Sequence, residues 1–208
     1  MIDFKTLESY VEENKMTQKE YDLVIKHINN KSNILVGSKN NGGKTFLLHA
    51  IAEKMIDNFS SDNFIVLDNC ALEHNFNQEN ILTAPDWNLI NNRKISNQLR
   101  FIVDEFSYGT ALNFKMWMQQ IKFPRIPLSF IGTIYADSIK DMLFRFKSIG
   151  EEFTKNLYLY RGFTQEFYKK YSEDEYLLIH LKKTPQGILI DDVKECKKGL
   201  LDELEKAF

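Results

Sequence analysis

The feature that most restricts how this chain can fold is the run Ser38-Lys39-Asn40-Asn41-Gly42-Gly43-Lys44-Thr45. It lies between the short apolar run Asn33-Ile34-Leu35-Val36 and a stretch with Leu47, Leu48, Ile51 and Met55 at helical spacing. A strand, a glycine-rich turn and a helix in immediate succession make the unit that cradles phosphate. Gly42 and Gly43 let the backbone approach an anion closely, with successive N–H groups pointing inward, and the start of the helix adds a favourable dipole. The usual pattern for this turn is G-x-x-x-x-G-K-[ST]. Its last three positions are intact here as Gly43-Lys44-Thr45, whereas Ser38 replaces the first glycine and Gly37 stands one place earlier. Nucleotide phosphates are therefore expected along Gly37, Ser38, Lys39, Asn40, Asn41, Gly42, Gly43, Lys44, Thr45 and Phe46. Lys44 would neutralise β- and γ-phosphate charge, and the Thr45 hydroxyl would hold Mg²⁺. The competing explanation is a chance match in an Asn/Lys/Gly-rich turn. The strand before it and the apolar helix after it weigh against that.

A second motif, Phe101-Ile102-Val103-Asp104-Glu105, is an apolar strand ending in two acids. It sets carboxylates at the C-terminal edge of the sheet, beside the phosphate loop. Asp104 would bind Mg²⁺ through water and Glu105 would orient or deprotonate the attacking water. Alone, such a pair is often just a strand running into a solvated turn; coupled to the loop it points to chemistry. Thr133, at the end of a further strand, offers a hydroxyl to sense a γ-phosphate, though a β-branched residue in a strand needs no such role.

Around these motifs the pattern alternates. Thr17-Gln18-Lys19-Glu20 reads as a capping box opening a helix with Tyr21, Val24, Ile25 and Ile28 on one face, ended by Asn29-Asn30. The helix from Lys44 runs to about Asn58. Phe64 to Leu67 is a strand, closed by Asp68. Residues 75–97 read as loop with one short element around Trp87 to Ile90. Ala111 to Ile121 is an amphipathic helix, Leu128 to Ile134 a strand, and Asp137 or Ser138 caps a helix through Phe146. Strands alternating with helices argue a parallel α/β sheet. Beyond it, Asn156 to Tyr160 reads as a strand, Tyr176–Leu181 and Ile188–Ile190 as a hairpin around Thr184-Pro185-Gln186-Gly187, and Val193 to Ala207 as a last helix, the antiparallel part extending the same sheet. The length of 208 residues suits one domain: residues 1–30 as N-terminal helices, 31–150 as nucleotide-binding core, and 151–208 as C-terminal strands and helix.

A net charge of −2 gives no global basic field, so nucleic acid or anionic lipid would need a local basic stripe. The run Met1-Ile2-Asp3-Phe4-Lys5 lacks a signal-peptide pattern. Cys70 and Cys196 have no metal-ligand spacing and read as reduced thiols of a cytosolic protein.

The blocks together resemble the traffic ATPases of type II and type IV secretion, conjugation and pilus retraction. Asn33 to Val36 with the loop, Phe64 to Glu73, Phe101 to Glu105 and Leu128 to Arg145 fall in that family's order, over about residues 17–195. Asp68-Asn69-Cys70-Ala71-Leu72-Glu73 resembles its acidic box, and Gly132-Thr133-Ile134-Tyr135-Ala136-Asp137-Ser138 its histidine box, with Tyr135 where the histidine stands. Arg145 follows Tyr135 by ten residues, where that family carries an arginine. Ser107 replaces the arginine that often follows the Walker B glutamate, and the family's separate N-terminal domain has no counterpart in these residues.

The resemblance implies a RecA-like P-loop sandwich, a mostly parallel sheet extended by a C-terminal antiparallel hairpin. It further implies ATP and Mg²⁺ as ligands, catalytic parts for Asp68 and Glu73, a hexameric ring at the inner face of a membrane, and a secretion or conjugation complex as partner. In such rings an arginine of one subunit can stabilise transition-state charge in its neighbour; Arg93 and Arg145 are the candidates among five arginines, most of which are ordinarily surface groups. Phe114, Trp117, Phe123, Phe144 and Phe146 read as core, and His49 and His74 as surface or packing residues. Two other functions remain open: a plasmid or phage DNA motor or loader, and a nucleotide-binding scaffold that scarcely hydrolyses.

Overall fold

The computed structural model describes residues 4–67, 81–83, 99–107, 129–155 and 174–197. Thr6 caps α1 (Leu7–Glu12), and Thr17 with Glu20 forms the full capping box of α2 (Gln18–Asn29). Strand β1 (Asn33–Ser38) leads into the loop and α3 (Lys44–Asn58). Then follow β2 (Asn63–Leu67), β3 (Ile81–Thr83), β4 (Leu99–Val103), β5 (Ser129–Tyr135), α4 (Ile139–Lys155), β6 (Tyr176–Thr184) and β7 (Gly187–Cys196).

The seven strands form one sheet in the order β3-β2-β4-β5-β1-β6-β7. Six run parallel and only β7 is antiparallel, to β6. Parallel strands are buried on both faces, and β1 is buried at every position. One face carries Ile34, Val36, Ile131, Leu177 and Ile179, packed on α1, α2 and α3. On the other, Phe146 of α4 meets the rings of Phe130 and Tyr176. α3 is buried nearly all round, with Leu47, Leu48, Ala50, Ile51, Ala52, Met55 and Ile56 inside; each fully buried Leu or Ile contributes roughly 1.5–3 kcal/mol.

As expected, a C-terminal antiparallel hairpin, β6 with β7, extends the mostly parallel sheet, joining it through β6 parallel to β1. The structure departs from the sequence reading in three places. β3 lies within the stretch read as loop, where a three-residue edge strand is too short to leave a periodic pattern. Val193 to Cys196 continue β7 rather than starting a helix. Phe144 is exposed, whereas Phe146 is in the core as expected. The helix read at 111–121, the strand at 156–160, and Trp87, Cys70, His74, Phe114, Trp117 and Phe123 lie outside the described residues.

α1 is fastened to α3 by Lys54 Nζ, 2.6 Å from Glu8 Oε1, with the Tyr21 hydroxyl donating to the same oxygen at 2.9 Å. The bond from the Lys54 ammonium, more than anything else, holds the Glu8 carboxyl at about 2 instead of its ordinary 4.5. A depressed folded-state value stabilises the fold above the ordinary value and stops doing so as pH falls through the lower one. The clasp is therefore expected to be intact above about pH 4.5 and to be lost towards pH 2. In acid titrations of stability, Glu8→Gln should flatten that part of the curve; an unchanged curve would show that the pair contributes nothing.

Candidate functional site

The loop sits at the C-terminal edge of the sheet, between β1 and α3. Two left-handed residues shape it: Asn41 at φ 56° and Gly43 at φ 79°, the latter the N-cap of α3. Asparagine tolerates that region and glycine enters it without cost. A Cβ at Gly42 would lie 2.2 Å from Ser38 Oγ and 2.8 Å from the Lys39 carbonyl, and one at Gly43 would lie 2.5 Å from Ile188 Cδ1. Gly42 is thus required by its close approach to the Lys39 carbonyl and Gly43 by its positive φ, and the β6–β7 hairpin walls the loop on one side. Gly37 lies in β1, where it makes room for Met142 of α4, whose Sδ would be 2.4 Å from an added Cβ.

Lys44 reaches back over the loop. Its ammonium lies 3.4 Å from the carbonyl oxygens of both Ser38 and Lys39. The Ser38 hydroxyl is buried and donates to Lys39 O at 2.9 Å. Lys39 and Asn40 are exposed, Thr45 is half-buried and Phe46 is exposed. The backbone then locks the neighbouring strand to the loop: Ala136 N donates to Ser38 O at 3.1 Å.

That neighbouring strand is β5, not β4. Val36 pairs with Thr133 and Ser38 with Tyr135, while β4 pairs with the far side of β5. The two acids therefore stand one strand further from the loop than a direct β1–β4 pairing would put them, at the same edge. Asp104 is 2% exposed and Glu105 half-buried. Phe106 N donates to Thr133 O at 2.7 Å, tying the chain just after Glu105 to the tip of β5. Thr133 shares its sheet face with Val36, the face that α3 covers, and its Oγ1 is buried with no hydrogen-bond partner among the described residues.

Tyr135 occupies the β5 tip. The Lys44 ammonium is 6.0 Å and the Arg145 guanidinium 4.9 Å from its ring centroid. Arg145 also donates from Nε to Asp141 Oδ2 at 2.8 Å, and Asp137 N donates to the same carboxylate at 2.9 Å. Lys39 and Asp137 stand 3.6 Å apart across the loop mouth. Among the site residues expected from sequence, Lys44, Thr45, Asp104, Glu105, Thr133 and Arg145 all belong to elements meeting at this edge; Asp68, Glu73 and Arg93 lie outside the described residues.

No family model matches the chain, and no characterised protein matches it in sequence. Solved structures do resemble it. The VirB11 ATPase of the Brucella suis type IV secretion system, in complex with sulphate, superposes with a TM-score of 0.54 at 14% identity, covering 95% of this chain and 67% of that one. The chain has the RecA-like P-loop ATPase fold. The Legionella pneumophila ATPase DotB gives a TM-score of 0.49 at 12% identity, and this chain spans 53% of it.

Thr45 offers a hydroxyl and Asp104 a buried carboxylate, the oxygen types that a hard cation takes. The Thr133 hydroxyl, buried with no hydrogen-bond partner among the described residues, and the glycine-rich turn leading into the N-terminus of α3 are groups of the kind that take phosphate oxygens. Sequence reasoning missed the part of Tyr135 as a seat for two cations. It also missed Ile188, which only the β6 pairing brings to the loop. A second group of metal-ligating types, His27, Glu175 and Glu195, lies at the opposite end of β6. There Lys26 Nζ is 2.6 Å from Glu195 Oε1, and His27 Nε2 is 2.9 Å from the same oxygen. The bond from Lys26 is the main cause holding Glu195 below its ordinary value. That group is an ion-paired clasp between α2 and β7. No helix among the described residues is long and apolar enough to cross a membrane.

Proposed function

We propose that this chain binds Mg-ATP at the P-loop and hydrolyses it, as a subunit of an oligomeric motor serving a secretion or conjugation machine. What supports the reading is that the loop after β1, Thr133 near the end of β5 and the Asp104–Glu105 pair after β4 belong to three neighbouring parallel strands, at the same end of the sheet. Lys44 would exchange its two carbonyl contacts for β- and γ-phosphate oxygens, which are stronger charge-assisted partners. Backbone N–H groups from Gly43 to Phe46 would hold the remaining oxygens, the Gly42 N–H being donated to Lys39 O within the turn. Thr45 and Asp104 would hold Mg²⁺, which neutralises developing phosphate charge when bound. Glu105 would orient the attacking water and accept its proton. Thr133 would donate to the γ-phosphate. Asp68 and Glu73, in the acidic box, would act on the same water and cation. The hexameric ring and the membrane-side partner rest on the likeness to secretion ATPases alone.

A second reading, a nucleotide-binding scaffold with little turnover, is favoured by Ser38: its hydroxyl fills space that a glycine would leave open at the start of the loop. Titrating a fluorescent ATP analogue with Mg²⁺ tests what both share. Lys44→Ala is expected to weaken binding by about tenfold to a hundredfold, as for loss of one charged hydrogen-bonding group. Equal affinity in the variant and the wild type would rule out this P-loop as the nucleotide site.

A further inference from the structure

We propose that Arg145 acts in cis, as a second cation for the γ-phosphate of its own subunit, and that Tyr135 is the residue that positions it. The inference rests on the ATP-binding reading above and assigns one more contact to that site.

Tyr135 is paired with Ser38, the last residue of β1 and the first of the loop. Two cations from different elements lie against its ring, the P-loop lysine of α3 at 6.0 Å from the centroid and an arginine of α4 at 4.9 Å. A guanidinium within about 6 Å of an aromatic centroid is attracted to the ring face, and Arg145 at 4.9 Å is well inside that range. Asp141 fixes the other side of the guanidinium, and Asp141 is itself held by Asp137 N at the turn that follows β5. The arginine is thus built into its own subunit from two directions. Its side chain nevertheless keeps 44% exposure, so its remaining N–H groups stay available. Two cations sharing one ring repel each other, and an anion arriving at Lys44 relieves that repulsion. A triphosphate brings more negative charge to this point than a diphosphate. Arg145 therefore favours the triphosphate selectively, and a planar fork on an aromatic face does this in a way that lysine does not reproduce.

The first test measures Mg-ATP-analogue and ADP affinity side by side. Arg145→Ala is expected to lower the triphosphate-to-diphosphate preference by about tenfold, the size of one charge-assisted contact. Tyr135→Leu should lose most of that preference and Tyr135→Phe should keep it, because the ring and not the hydroxyl seats the cation. Arg145→Lys should resemble Arg145→Ala. An unchanged ratio in Arg145→Ala overturns the proposal.

The second test mixes Arg145→Ala with Lys44→Ala subunits and follows turnover. An arginine working in cis gives no more turnover than the sum of the two variants alone. Recovery above that sum means that Arg145 serves a neighbour and overturns the cis assignment. If the wild-type chain binds neither nucleotide, the ATP reading itself falls; normal wild-type binding with a flat ratio removes only the part given to Arg145.

Discussion

Arg100→Ala is expected to cost this fold roughly 3–5 kcal/mol, the usual penalty for removing one partner of a buried ion pair. Arg100 and Asp62 are 0% and 1% exposed, and Arg100 Nε donates to Asp62 Oδ2 at 2.6 Å. Nη1 donates to Ser129 Oγ at 2.8 Å, and the guanidinium lies 4.5 Å from the Phe59 ring. The arginine thereby joins the start of β4 to the start of β5, to the residue preceding β2 and to the end of α3. Taking it away leaves the Asp62 carboxylate buried without its guanidinium and opens a void beside Phe59. Against a total of about 5–15 kcal/mol for a domain of ordinary stability, the loss would remove much of the margin. Urea unfolding with a fixed m-value measures it. The double change Asp62→Leu with Arg100→Met should recover most of the loss, since well-packed apolar residues often replace a buried pair at little cost. A penalty for Arg100→Ala below about 1 kcal/mol, the range of surface pairs, would show that the pair is not desolvated in solution.

Arg100 also marks where sequence reading stops. As one of five arginines it reads as a surface group, because a charge beside an apolar run carries no sign of what will cover it. Its ion-pair partner is 38 residues away and its other hydrogen-bond acceptor 29. The loop, by contrast, was legible because its strand, turn and helix are contiguous: Gly42, Gly43, Lys44 and Thr45 carry their own context. The order of strands was not. Phe101 to Glu105 announces a buried strand ending in acids, but nothing local says that β5 will lie between it and β1. Pairing partners are chosen by long-range packing. The same holds for Tyr135. It is visible in sequence as a departure from a histidine pattern, yet its contact with Arg145 exists only because α4 folds back over the end of β1, where Gly37 admits Met142. β7 was read short because its residues are only partly covered and alternate weakly, so its pairing with β6 extends further than its pattern shows.

Glu105→Ala is expected to lower ATP turnover by roughly 10²–10⁴-fold, the range for loss of a positioned general base, while ATP affinity stays equal or tightens. The physical ground is where the residue stands. Glu105 follows the buried Asp104 at the tip of β4, and the next backbone N–H, from Phe106, is bonded at 2.7 Å to the carbonyl of Thr133. That bond belongs to the main chain and survives the substitution, so the edge keeps its shape and only the carboxylate is lost. A group that acts on water rather than on phosphate contributes to the transition state and not to ground-state binding, which is why kcat falls while affinity holds. Removing a negative charge near the triphosphate favours binding if anything. Glu105→Gln keeps the shape and the hydrogen-bonding oxygen but not the charge; it should match alanine if proton acceptance matters most, and retain part of the rate if orientation does. Turnover assayed by phosphate release, with binding titrated on the same preparation, separates the outcomes. A variant that keeps most of its turnover moves the base elsewhere, whereas a wild-type chain already at the level of the variant, with ATP still bound, means that the site binds nucleotide without consuming it.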